Sequence, residues 1–130
     1  MTEPSPALTL LRGRGDEDRR TAYAAEREHH RRARDGGQWA AAWSHLERAH
    51  ILAQPDFRLH LVSHVDMLRF ALARRDGREV VGQLLRIALV PLGSLTGRLP
   101  TGNIGRARVS AFAPMPVPDD LQSYLQQDAS

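Results

Sequence analysis

Glutamate and histidine recur in this chain at two spacings that place donor atoms on one side of a helix. Glu47-x-x-His50 closes one helical pattern, and His60-x-x-x-His64 opens the next, with Gln54-Pro55-Asp56 as the elbow between them. At about 100° per residue, i,i+3 and i,i+4 positions share a face, and a hairpin turns the two faces toward each other. Glu47, His50, His60 and His64 arranged this way supply three imidazoles and one carboxylate. That donor set suits a divalent transition metal such as Fe, Zn, Cu, Ni or Mn.

The helical wheel adds burial to spacing. Trp39, Ala42, Trp43, Leu46, Ala49, His50 and Ala53 form an apolar stripe that contains His50 and has Glu47 on its shoulder. Phe57, His60, Leu61, His64, Leu68, Ala71 and Leu72 form the matching stripe, whereas His45 points away from its own and is left out. A carboxylate beside core imidazoles costs several kcal/mol unless its charge is compensated. A metal would compensate it, and so would Arg48, Arg58 or Arg69. Two readings therefore stand: a metal-binding protein, with enzyme chemistry left open, or a helical interaction module with core histidines. A metal-free Glu47–His dyad for acid/base work is a third. Arg69, Gln83 and Asn103 are candidates to support ligands or contact a small-molecule substrate. Glu26, in a further Glu26-x-x-His29 pair, is another, although that pair reads first as surface.

The elements that must position these groups follow from composition and punctuation. At 130 residues the chain forms one domain, and the absence of cysteine excludes disulfides and thiolate sites. No apolar run approaches a membrane span of roughly 18–20 residues. The N-terminal stretch lacks a secretion-signal pattern, so a soluble cytoplasmic protein with no membrane partner is expected. Net charge is +3, and every strong base is an arginine. The densest cluster, from Arg27 to Arg34, is interleaved with Glu26, Glu28 and Asp35. That pattern reads as a solvated helix face ahead of a nucleic-acid surface.

The periodicity predicts an all-α fold, a compact bundle of about four helices with an extended Gly/Pro-rich C-terminal arm. Residues 1–15 read as a mobile leader, and residues 16–93 as the bundle. Helices are expected over 16–34, 38–53, 56–74 and 78–92, the last apolar on most sides and ended by Pro91 and Gly93. The glycine turn before a tryptophan-led helix looks like a tetratricopeptide-type hairpin, without a second copy at the 34-residue period. Residues 94–130 read as an arm across the bundle, anchored by Val109, Phe112, Met115 and Val117 and closed by a short helix over 119–127. Such an arm suits a lid. Gly97-x-x-x-x-Gly102 has the glycine spacing of a phosphate loop, but Asn103 stands where lysine is required and no strand precedes it. A tight turn using Gly102, Asn103 and Gly105 at positive φ explains it instead.

HLERAHILAQ, the H-x-x-x-H with Met67-Leu68, Gly82-Gln83, and LPTGNIGRARVSAFAPMPVPDDL together resemble a bacterial family catalogued as domain of unknown function 3703. The likeness covers roughly residues 20–121. It implies a single small helical domain and no particular chemistry. Ile104 stands where that family's pattern suggests threonine, and Val65 where tryptophan often follows the second histidine; the four candidate ligands are unaffected.

Overall fold

The structure, a computed structural model, describes residues 3, 5–96, 103–107, 109 and 114–126. Among these, five helices and no strand occur: α1 (Pro6–Asp35), α2 (Trp39–Ala53), α3 (Phe57–Ala73), α4 (Gly77–Thr96) and α5 (Asp119–Gln126). α1 packs along α2, α2 against α3 and α3 against α4, while α5 reaches back to α1 and α2.

Two boundaries differ from the sequence reading. α1 begins at Pro6, not near Asp16, so most of the stretch read as a leader is helical. Proline in a first turn loses no hydrogen bond, and its fixed φ is already helical. Gly13 and Gly15 cost about 1 kcal/mol each relative to alanine, which slows a helix without stopping it. At the other end, α4 passes through Pro91 and continues to Thr96. One proline near a helix end forfeits a single internal bond, and the buried Val90 just before it anchors that turn.

The connections are short and capped. Gly37 adopts φ +70° after α1, where a side chain would be strained. Asp56 caps α3, its carboxylate accepting from the backbone N–H groups of Arg58 and Leu59 at 3.0 and 3.2 Å. Before α4 the left-handed residue is Arg75, at φ 56°, while Gly77 already belongs to the helix.

The core has two apolar clusters. Ala33, Ala42, Leu46, Met67 and Phe70 form one, and Tyr23, Ala49, Ile51, Leu52, Ala53 and Leu121 the other. Along α2, His50 falls between Leu46 of the first and Leu52 of the second. The C-terminal stretch contributes Ile104, Val117, Tyr124 and Leu125 to the second cluster. Met115 is half-buried, and Phe112 lies outside the described residues.

Candidate metal centre

α2 contributes one donor and α3 two. His60 and His64 lie one turn apart on α3, and the α2–α3 hairpin sets His50 opposite them. The three Nε2 atoms form a nearly equilateral triangle: 3.1 Å from His50 to His60, 3.1 Å from His50 to His64, and 3.2 Å from His60 to His64. All three residues are buried, at 2%, 3% and 2% exposure. Bonds of about 2.0–2.1 Å to imidazole nitrogen would give edges of roughly 2.9 Å for an octahedral face and 3.35 Å for a tetrahedral one. The observed triangle falls between them.

The outer ring nitrogens fix the protons. His50 Nδ1 lies 2.6 Å from the backbone carbonyl of Asn103, which can only accept, so Nδ1 carries the hydrogen. His64 Nδ1 lies 2.7 Å from Oε1 of Gln83. The Gln83 amide is held in that orientation because its NH₂ donates to Glu79 Oε1 at 2.9 Å and to the carbonyl of Gly105 at 2.8 Å. His64 Nδ1 is therefore also a donor. Neutral His50 and His64 consequently face each other with bare Nε2 lone pairs.

Burial keeps the rings neutral. It pushes His50 well below the ordinary imidazole value, with the neighbouring His64 and His60 adding to the effect. Burial, then His64, takes His60 down to about 3. Burial takes His64 down to about 4, with the bond to Gln83 opposing it. A shared proton would otherwise relieve the lone-pair contact, and burial disfavours it. His60 cannot resolve the contact through its tautomer. With its proton on Nε2 it supplies one hydrogen for two buried lone pairs, those of His50 and His64 at 3.1 and 3.2 Å, and its Nδ1 has no hydrogen-bond partner among the described residues.

The polypeptide after α4 closes over this cluster. Gly105, at φ +83°, lies flat on the His50 ring; a Cβ there would come within 2.7–2.9 Å of ring atoms Cδ2, Cγ and Nε2. The Asn103 side chain accepts from the Gly105 N–H at 2.9 Å and sets the turn. Gly105 is thus at positive φ as expected, and Gly102 lies outside the described residues.

Glu47 does not join the histidines. The donors that gather within 4.8 Å of one another are His50, His60 and His64 alone among the described residues. The Glu47 carboxylate instead meets Arg106 at 3.2 Å. Arg106 also pairs with the buried Glu79 at 3.0 Å and stacks on Trp43, 3.6 Å from the ring centroid. A guanidinium from the arm therefore takes the role that a metal would have had beside Glu47. The arginines weighed from sequence were on the wrong elements.

The supporting candidates divide evenly. Gln83, fully buried, and Asn103, through its carbonyl, orient the His64 and His50 rings. Glu26 lies away from the cluster, buried between α1 and α2, where it accepts from His45 Nδ1 at 2.7 Å and Arg48 Nε at 2.8 Å. Arg69 is exposed on α3 and lines a separate cavity. Sequence reasoning missed Glu79 and Arg106. Glu79, one turn before Gln83 on α4, carried the signal.

A family described as "Protein of unknown function (DUF3703)" has a model that matches residues 17–125, which contain every residue of this cluster. No curated protein and no solved structure matches the chain.

Proposed function

The chain belongs to that family, whose description carries no activity, and from the geometry we propose that it binds one divalent transition metal through Nε2 of His50, His60 and His64. One observation carries the reading: two buried imidazoles have their outer nitrogens committed as donors, so their bare inner nitrogens meet at 3.1 Å. A cation at that point converts a repulsive contact into two bonds. The hydrogen bonds to Asn103 and Gln83 are those that orient ligand imidazoles and raise their basicity. Gln83 is held in turn by Glu79, which brings a carboxylate to the outer edge of the site.

Three neutral nitrogens favour Zn²⁺, Cu²⁺, Ni²⁺ or Fe²⁺ over harder cations. They also leave coordination positions for water or a small-molecule substrate, as in catalytic rather than structural zinc sites. Bound metal would there supply Lewis-acid or redox chemistry. A helical module with core histidines would leave the His50 and His64 Nε2 lone pairs in contact at 3.1 Å with at most one hydrogen, from His60, to share.

Metal analysis of protein purified without a histidine tag, combined with Co²⁺ titration, tests this. The expected result is about one ion per chain and visible Co²⁺ bands of a nitrogen-rich, low-symmetry site. Stoichiometry far below one that added metal does not raise would overturn it.

A further inference from the structure

Away from the histidine triangle, a cavity of about 310 Å³ opens between α1 and α3. Arg27, Arg31 and Arg34 line it from α1, and Arg69 and Asp66 from α3, over a floor that includes His30 and Phe70. Four guanidiniums against one carboxylate leave an excess of three positive charges. That equals the net charge of the entire 130-residue chain.

The arginines are not equally engaged. Asp66 holds Arg27 through two bonds, at 2.7 and 3.1 Å. Arg31 pairs with Glu28 at 3.3 Å and Arg34 with Asp35 at 3.2 Å, partners that are themselves exposed and outside the cavity lining. Such surface pairs are worth little and exchange readily. Arg69 has no carboxylate partner among the described residues. The floor is of another kind. His30 Nδ1 is used by the Ala42 carbonyl at 2.9 Å, and its ring meets Phe70 edge-on with centroids 5.0 Å apart. Phe70 and His30 are mostly covered by the core, so the floor offers a narrow aromatic edge and the wall is cationic.

We infer that this cavity binds a compact dianionic oxyanion on a small aromatic or apolar body, an organic phosphate monoester being the simplest case. Planar guanidinium forks match phosphate oxygens two at a time. Arg31, Arg34 and Arg69 supply those forks, Arg27 stays fixed by Asp66, and the ligand's organic part rests against the aromatic floor. A face that reads in sequence as a solvated helix surface thus acquires a ligand through Arg69, which the packing of α1 and α3 on α2 brings across the cavity from it. The inference is independent of the metal centre.

Calorimetric titration of the full chain in low salt with phenyl phosphate, inorganic phosphate and benzoate tests it. Phenyl phosphate should bind with Kd below about 1 mM, the range one or two charge-assisted forks supply, and more tightly than either of the others. Arg69→Ala and Arg34→Ala should each weaken it by about tenfold, with unchanged thermal unfolding, and His64→Ala should leave it unaltered. No binding at 10 mM, equal affinity for inorganic phosphate, or affinity untouched by Arg69→Ala would each overturn the inference. So would a single-stranded oligonucleotide that binds far more tightly while phenyl phosphate fails to displace it.

Discussion

α2 carries two polar seams that begin from the same sequence pattern. On one side Glu47 and His50 stand at i,i+3; on the other, Glu26 and His29 of α1 repeat the spacing against His45 and Arg48. In the α1–α2 seam charge is matched by charge: Glu26 accepts from both His45 and Arg48, and Arg48 continues to Asp120 of α5. In the α2–α3 seam the carboxylate has left for Arg106, and the histidines that remain are supported only from behind. The first seam is complete with what the chain provides. The second has three imidazole donors converging on one point, with the buried Arg86 guanidinium close enough to bear on His50 and His64, and on the proposed metal-binding reading this is what sets the two seams apart.

Removing a donor is the strongest way to test that contrast. His64→Ala should abolish stoichiometric metal binding, a loss of at least about a hundredfold in affinity given what one nitrogen ligand of three contributes, and His60→Ala should do the same. Metal analysis after dialysis reads the outcome directly. Retention of one ion per chain by both variants would place the metal elsewhere.

Acid gives the next largest effect, with a definite sign. In the metal-free fold His60 and His64 titrate near 3 and 4, whereas in the unfolded chain they take up protons near 6.5. Below 6.5 the unfolded state therefore binds protons that the native state refuses, and stability held above that pH is lost as pH falls toward 4. Each such histidine costs about 1.4 kcal/mol per pH unit inside the window. Denaturant melts of metal-free protein at pH 7 and pH 5 should differ by a few kcal/mol on that basis. A His50→Leu, His60→Leu, His64→Leu triple variant should remove most of the difference, and a dependence as steep as the wild type's surviving in it would assign the protons to groups outside the cluster, buried His30 among them.

Smaller effects come from the support behind the ligands. Gly105→Ala sets a Cβ within 2.9 Å of the His50 ring at φ +83°, so the arm must lift. A cost of about 1–3 kcal/mol is expected from the backbone conformation alone, together with weaker Co²⁺ binding. Gln83→Leu strands the His64 Nδ1–H and removes a donor from Glu79. It should lower metal affinity by about 10–100-fold with His64 still coordinated, so the Co²⁺ spectrum should shift without vanishing. If both variants bind metal like the wild type, the arm and α4 are bystanders and only the hairpin matters.

How much of this was legible can be traced residue by residue. His50, His60 and His64 were readable because helical periodicity and an i,i+4 spacing are local properties, and a proline elbow dictates that two neighbouring helices face each other. Gln83 was readable as one of two polar groups, with Arg86, that interrupt an apolar helix. Glu47 was misassigned because spacing records which face a side chain shares but not which distant cation reaches it; Arg106 arrives from an arm 59 positions away. The same limit hid the Glu26–His45–Arg48 cluster, since His45 looked exposed on the wheel of α2 until α1 covered it. Helix ends failed at Pro6 and Pro91 for a simpler reason. Pro6 is a first-turn residue that marks the true start of α1, and Gly13 and Gly15 weaken the helix after it without ending it, whereas the loss at Pro91 is small enough for α4 to continue to Thr96.

The last test asks whether the two seams are independent. Arg48 is a quarter exposed and holds two carboxylates, the exposed Asp120 and the buried Glu26 at 2.8 Å, so Arg48→Gln removes a surface pair worth about 1 kcal/mol or less and a charged hydrogen bond to Glu26 worth about 1.5–3 kcal/mol. Glu26 keeps the His45 bond at 2.7 Å and is not stranded. Thermal unfolding should shift down by about 5–10 °C for a chain of this size, with metal stoichiometry and Co²⁺ spectrum unchanged. Because Arg48 stands two residues before His50 on the same helix, any tilt of α2 caused by losing the α1 seam would be transmitted to the Nε2 triangle. A change in metal affinity beyond about threefold, roughly 0.7 kcal/mol, would show that the charge-matched seam holds α2 in the register the metal centre needs.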